Sequence, residues 1–445
     1  MSKRKIFLLI NPWVYDFALY DLWMKPLGLL RLARILKNYG EVFLLDCLDR
    51  GEPLINARED NYGCGRFSKV EVEKPFPLKE VRRPYFRYGM PEEKFKERLS
   101  EIPPPDFTFI TTGMTYWYLG VRKTVETVKN IFPHTFVVLG GIYATLLPHH
   151  AKSLKGVNEV FVGRDERKLS LFLSYLLQKE VKVSPFPFPD LSYQRRKDAW
   201  VIETSRGCPF SCSYCASRIF SPSLIFREKE EVIRELEYMR EEGVKHIALY
   251  DDAFLFSYPN HALPLLEEII RMEDDSAPHG FTFHTPNGLH ARFLTLEVAE
   301  KLKKANFLTV RLSLETAEER LQKKTGGKVK NRELEVALNN LSRAGYSRKE
   351  IGVYLMLGLP GSLEEDFKKS VLYVHSLGAK VLLANFSPIP GTEEWMKLEK
   401  RRIIEKKMDP LWHNNTVFPI KLGWSENRIR EMRLWVSELN RKLEN

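Results

Sequence analysis

The stretch WVIETSRGCPFSCSYCAS, residues 200–217, decides the fold. It opens on an apolar run with the β-branched Val201 and Ile202, which suits a buried strand. A short loop follows with Cys208, Cys212 and Cys215 in C-x3-C-x2-C spacing. Pro209 and the small Ser211 and Ser213 suit a tight loop around a metal centre. A four-iron cluster normally takes four cysteine ligands, so three leave one iron open to a substrate or cofactor. Zinc wants a fourth ligand, and no nearby Cys or His stands at finger spacing.

Working outward, strands and helices alternate from Trp200 onward. Strands are predicted at 201–204, 246–250, 282–285, 309–314, 351–357 and 380–385. Between them run helices with apolar stripes. One carries Val232, Leu236 and Met239 and stops at Gly243; another carries Leu334, Leu338 and Leu341 and stops at Gly345. A third carries Phe367, Val371, Val374 and Leu377, stops at Gly378, and opens with Ser362 and Glu365 at capping-box spacing. About six βα units in series make a partial (β/α)6 barrel of the TIM type, with functional groups at the C-terminal ends of its strands.

The first 165 residues alternate too. Strands are predicted at 5–10, 42–45, 108–111, 135–139 and 159–162. Helical stripes are Leu29, Ala33 and Leu36, stopped by Gly40, and Val121, Val125, Val128 and Phe132. The pattern predicts an α/β, doubly wound, Rossmann-like parallel sheet. Such sheets bind ligands beyond the carboxyl ends of their strands. Asn11, Thr112, Gly113, Met114, Gly140, Gly141 and Gly163 fall at such ends, and glycines there let a large ligand approach. No G-x-G-x-x-G follows the first strand, so the dinucleotide fingerprint is missing. Residues 50–105 form a charged, Pro-containing insertion with little periodicity, of a length that is usually functional or disordered. PFPFPD and QRRKD read as a linker. The expected division is 1–184, a linker at 185–199, a barrel at 200–394, and a C-terminal helical extension at 395–445.

Composition narrows the classes. The 445 residues, 44% hydrophobic and 29% charged, are enough for more than one packed core. Five cysteines, an odd number, make no disulfide framework for a chain this long, which predicts a reducing, cytoplasmic setting. The apolar run 6–10 is too short for a signal core, and no run is long enough to cross a membrane. The net charge of +11 raises the class of nucleic-acid-associated binding or modifying proteins. Charges of both signs interleave, as in 227–240, and no nucleic-acid-binding module is recognisable, so nucleic acid is not the expected partner.

The triplet with an aromatic, Tyr214, before its third cysteine, set at the end of a first barrel strand, resembles the radical S-adenosylmethionine (radical SAM) superfamily. The resemblance runs from Trp200 to the C-terminus. It implies a [4Fe-4S] cluster on Cys208, Cys212 and Cys215, whose open iron chelates S-adenosylmethionine. Reductive cleavage then yields a 5′-deoxyadenosyl radical. YDDAF at 250–254 resembles the family's segment after the second strand, which implies that Asp251 and Asp252 hold the cofactor's amino group. Asn287 in TPNGLH, and Arg311, Ser313 and Glu315 in VRLSLETA, match positions near the cofactor; the last three alternate and so share one face of a strand. Gly358 and Pro360 match the family's GLPG turn, and SPIPGT at 387–392 a similar loop. A small-molecule or otherwise unknown substrate and an external donor of flavodoxin or ferredoxin type are the implied partners.

The first half resembles the cobalamin-binding domain that precedes the radical SAM domain in one large branch. The matching segments are INP, PLGLLRLARILKNYG, TTGMT, VVLGGIYATLLP and VFVGRDE. The resemblance implies that Asn11, Thr112, Gly113, Met114, Gly140, Gly141 and Gly163 face cobalamin. The Asp-x-His-x-x-Gly motif of some cobalamin proteins is missing, which leaves His-off binding or no cobalamin. His149-His150 resembles a metal pair, but neighbouring helix residues point about 100° apart. Cys47 and Cys64 are too few for a second cluster, which argues against methylthiotransfer. The expected function is cobalamin-dependent C-methylation; the alternative is a radical rearrangement, cyclisation or modification without cobalamin.

Overall fold

The computed structural model describes residues 4–274, 280–405 and 407–444. They form two units: Met1–Lys197 with Asp409–His413, and Asp198–Met408 with Asn414–Asn445.

In the first unit, β1 (Lys5–Asn11), β2 (Gly40–Asp46), β3 (Phe107–Thr112), β4 (Phe136–Gly141) and β5 (Glu159–Val160) make a parallel sheet in the order β5-β4-β3-β1-β2. Phe7, Leu8, Leu9 and Ile10 are all fully buried. A strand covered on both faces reads as a continuous apolar run, as this one does. The helix Leu27–Leu36 lays Leu29, Ala33 and Leu36 against Phe7 and Leu9. Gly40 is the first residue of β2 and not the helix stop; a Cβ there would meet the Lys5 carbonyl oxygen at 2.2 Å. The strand order reverses between β1 and β3, so Asn11 and Thr112 flank the switch point.

The insertion is ordered. Tyr20–Asp21, Asn56–Glu59 and Gly65–Phe67 form one small antiparallel sheet; Val14–Asp16, Lys69–Val72 and Tyr85–Tyr88 form another. Ile55, Phe67, Phe95 and Leu99 give it a core. Strands of two to four residues are too short to display a period of two. The expected linker is packed as well: Leu191 is fully buried, and the Asp190 N–H donates to the Leu30 carbonyl at 3.1 Å.

In the second unit, β6 (Ala199–Ile202), β7 (His246–Leu249), β8 (Thr282–His284), β9 (Phe307–Glu315), β10 (Ile351–Leu357) and β11 (Lys380–Asn385) pair in chain order, all parallel. β6 and β11 do not pair with each other, so the sheet is an open barrel. The helices Lys229–Glu241, Asn331–Arg343 and Glu364–Ser376 carry the predicted stripes. The cap of the third lies one residue later than predicted: the Leu363 N–H donates to Asp366 Oδ2 at 2.8 Å. The edge of β11 is closed by the helix Glu426–Glu444, whose Asn440 accepts from the Val381 N–H and donates to the Val381 carbonyl, both at 2.9 Å.

Candidate active site

The cysteine loop leaves β6 through a narrow neck. Ser205 pairs with Phe226 and Arg206 with Ile225, antiparallel, so the chain enters and leaves the loop side by side. Gly207 turns at φ 90°, and a Cβ there would lie 2.3 Å from the Ser223 carbonyl oxygen. Only glycine fits that combination of backbone and space.

Two aspartates at the end of β7 hold this neck. Asp251 is buried; its carboxylate accepts from the Thr204 N–H at 3.1 Å, the Thr204 hydroxyl at 2.7 Å and the Ser205 hydroxyl at 2.6 Å. Burial pushes its carboxyl up to about 6, and those hydrogen bonds pull the other way. Asp252 accepts from the Gly207 N–H at 3.0 Å and from the Ser217 hydroxyl at 3.0 Å, and Ser217 Oγ lies 3.2 Å from Cys215 Sγ. The Asn287 amide donates to the carbonyls of Tyr250 at 3.0 Å and Asp251 at 3.3 Å.

The far side of the loop is tied as firmly. The Ser213 N–H donates to the Thr325 carbonyl at 3.1 Å, its hydroxyl donates to Glu394 Oε1 at 3.0 Å, and its carbonyl accepts from the Glu394 N–H at 2.8 Å. Phe210 packs on His290, with ring centroids 4.9 Å apart. All three loop thiols are free; Cys208 and Cys212 are partly buried and Cys215 is exposed. Burial pushes the Cys208 thiol up and the Cys212 thiol up to about 11, while the charge of Lys328 draws both down. Among the described residues, no three His, Cys, Asp or Glu side chains group as a single-ion site. A cube-shaped cluster takes each thiolate on a different iron, so its ligands need not converge on one point. Three free thiols on a braced loop at a strand's C-terminal end fit such a cluster.

Beside the loop lies a small cavity lined by Tyr214, Ser313, Glu315, Gln322, Thr325 and Lys328. Glu315 is held at φ 68°, where a residue with a side chain is strained, and a register shift between Ser313 and Glu315 accompanies it. Tyr214 lines the same cavity, and burial pushes the Glu315 carboxyl up while the charge of Lys328 draws it down. Arg311 does not line this cavity. Its guanidinium donates to the Tyr354 hydroxyl at 2.8 Å, which donates to the Pro286 carbonyl at 2.9 Å. Gly358 turns at φ 78° against Pro419, and Pro360 is buried beside it. The predicted positions thus fall into groups: Tyr214, Ser313 and Glu315 at the cavity; Asp251, Asp252 and Asn287 bracing the loop; Arg311 anchored next to Asn287. Sequence reasoning missed Lys328, Ser217 and Glu394. The double glycine of TGGK, 325–328, was the available signal for the first.

In the first unit the predicted residues divide differently. Asn11 donates to Asp46 Oδ1 at 2.6 Å. The Thr112 hydroxyl donates to the Gly140 carbonyl at 2.8 Å and accepts from the Ala144 N–H at 3.0 Å, so it ties β3 to β4. A Cβ on Gly113 would strike the Trp117 ring at 2.5 Å. Around Gly140 and Gly163 the space is open, and Met114, Ile142 and Val162 expose apolar side chains at the same strand ends. His150 bonds through Nδ1 to the Tyr143 hydroxyl at 2.6 Å, while His149 is exposed. Trp13 and Tyr116 are core residues, as are Cys47 and Cys64.

Residues 202–374 match the radical SAM superfamily. The chain is 27% identical over 210 residues to an uncharacterized methyltransferase of Synechocystis sp., covering 44% of this chain and 38% of that one. It is 24% identical over 329 residues to an uncharacterized methyltransferase of Pyrococcus horikoshii, covering 65% and 69%. In fold it is similar to TsrM, a radical S-adenosylmethionine methyltransferase from Kitasatospora setae solved with cobalamin and a [4Fe-4S] cluster, at a TM-score of 0.66 and 17% identity over 89% of this chain and 75% of that one. No helix among the described residues is long and apolar enough to cross a membrane. With the cysteine loop at the head of the matched region, residues 202–374 form a segment similar to the radical SAM superfamily, and the chain as a whole shares its fold with TsrM.

Proposed function

We propose that this enzyme is a cobalamin-dependent radical SAM C-methyltransferase. The observation that carries the radical SAM part is the braced loop with three free thiols at the C-terminal end of β6. Cys208, Cys212 and Cys215 would hold a [4Fe-4S] cluster. When bound, the cluster, S-adenosylmethionine and cobalamin supply one-electron cleavage of a sulfonium and a transferable methyl group.

The chain's own residues bind and position. Tyr214, Ser313 and Glu315, grouped around a water-sized cavity beside the loop, would turn polar groups toward S-adenosylmethionine. Asp252 orients the loop through Gly207 and Ser217. Asp251 acts as a positioning residue, because both its oxygens are engaged by Thr204 and Ser205. Asn287, Arg311, Gly358 and Pro360 shape the rim. In the first unit, Met114, Gly140, Gly141 and Gly163 would face the flat corrin, with Asn11, Thr112 and Gly113 supporting them. The open space at Gly140 and Gly163 and the exposed Met114, Ile142 and Val162 support that reading. An external one-electron donor of flavodoxin or ferredoxin type and a small-molecule substrate complete the reaction.

Anaerobic reconstitution with iron and sulfide tests this. The expected result, after one-electron reduction with dithionite, is a four-iron electron paramagnetic resonance signal that disappears when Cys208, Cys212 and Cys215 are replaced together by Ala. A signal that survives the triple replacement would overturn the assignment. Retention of added cobalamin through gel filtration, and formation of S-adenosylhomocysteine beside 5′-deoxyadenosine, would support methyl transfer. Loss of cobalamin on the column would leave the radical chemistry without it.

A further inference from the structure

The strap 325–328, TGGK, runs directly over the cysteine loop. Gly326 turns at φ 110°, and a Cβ there would lie 2.8 Å from the Ser211 carbonyl oxygen and 3.2 Å from Cys212 Cα. The strap is pinned on both sides of Lys328. Arg292 donates to the Gly327 carbonyl at 2.9 Å, and the Lys330 N–H donates to Glu333 Oε2 at 2.8 Å. Thr325 accepts from Ser213 through its carbonyl. The backbone is therefore set before any ligand arrives.

What the strap presents is a cation. Lys328 is partly buried, lines the cavity with Tyr214 and Glu315, and has no hydrogen bond or ion pair among the described residues. It stands over the cysteine loop: Gly326 of its strap lies against Ser211 and Cys212, and Tyr214, between Cys212 and Cys215, shares its cavity. An ammonium kept partly from water without a partner is costly unless an anion joins it. Glu315 is the carboxylate that shares its cavity, and thiolates formed on metal binding would bring further negative charge to the loop under the strap.

We infer that Lys328 is the counter-charge of the metal centre on Cys208, Cys212 and Cys215, and that it sets the centre's reduction potential. The inference rests on the proposed cluster assignment. A four-iron cluster with three thiolates is negative when oxidised and one charge more negative when reduced. A fixed cation nearby favours the reduced form, and cluster potentials respond to local charge and exposure. The electron comes from the external donor, and no bond forms or breaks in this step.

Potentiometric titration of the reconstituted cluster, without S-adenosylmethionine, tests the inference in wild type, Lys328→Met, Lys328→Gln and Lys328→Arg. Both neutral variants should lower the ratio of reduced to oxidised cluster at a fixed potential by about tenfold, a shift of about 59 mV in the negative direction for one electron. Lys328→Arg should stay near wild type. An unchanged potential in the neutral variants overturns the inference. If S-adenosylmethionine binding, followed as a change in the same spectrum, weakens in those variants while the potential holds, the ammonium serves the cofactor's carboxylate and the inference fails. A wild-type protein with no cluster signal would bring down the cluster assignment itself, a result distinct from either.

Discussion

Asp251 is the residue whose chemistry changed most between the linear pattern and the folded chain. As part of YDDAF it is an acid at a strand end, suited to an ammonium group. In the structure it is a buried acceptor holding Thr204 and Ser205, and the Thr204 hydroxyl also contacts His261 Nε2 at 2.9 Å. Burial raises its carboxyl from the usual 3.8 to about 6 in the folded chain. Between those values the folded state binds more protons than the unfolded state, so this group makes stability fall as pH rises through the window. Above pH 6 the loss is complete, at most roughly 3 kcal/mol. Thermal denaturation of Asp251→Asn across pH 4 to 7 should give a flatter curve than wild type. A slope equal to that of wild type would show that the carboxylate ionises without cost. Glu315 makes the complementary point. Its strained φ of 68° is invisible in VRLSLETA, where alternation alone predicts a regular strand.

Among the elements, the loops carry the site and the strand edges carry the stability. The cysteine loop is shaped by a neck of two residue pairs, a glycine and the TGGK strap, none of which has a periodic signature. β11 is an edge strand, and exposed edges invite pairing with other chains. Asn440 covers part of that edge by presenting an amide to both polar groups of Val381, as a neighbouring strand would. Removing both hydrogen bonds with Asn440→Ala should cost about 1–3 kcal/mol in urea denaturation. A loss within about 0.5 kcal/mol, the range of an ordinary surface substitution, would mean that water replaces the amide without penalty.

At the scale of the molecule, the proposed chemistry is shared between two α/β units. The first places open space beyond Gly140, whose backbone needs no positive φ. A side chain there is therefore compatible with the fold while occupying the volume proposed for the corrin. Gly140→Leu should fold, keep its cluster signal and lose cobalamin on gel filtration. Retention equal to wild type would move the cobalamin face elsewhere. The short segment Asp409–His413 belongs to this unit although it lies near the C-terminus. Thr115 Oγ1 meets His413 Nδ1 at 3.0 Å, and the Tyr118 hydroxyl reaches Asp409 at 3.2 Å. Linear boundaries at 394 and 395 hide such a return.

By itself the sequence determined the alternation of strands and helices, both parallel sheets, and the three cysteines with their place after β6. These are local properties: a buried parallel strand must be apolar throughout, and a short loop must carry its ligands close together in the chain. The tertiary structure decided the rest. It alone ordered the insertion, whose strands are too short to show a period, and returned 409–413 to the first unit. It turned Asp251 inward, strained Glu315, and laid the strap that carries Lys328 against Cys212 across more than a hundred residues of chain. Hydrogen-bond partners and charge pairs distant in sequence are selected by packing, and packing leaves no periodic mark on the residues it joins.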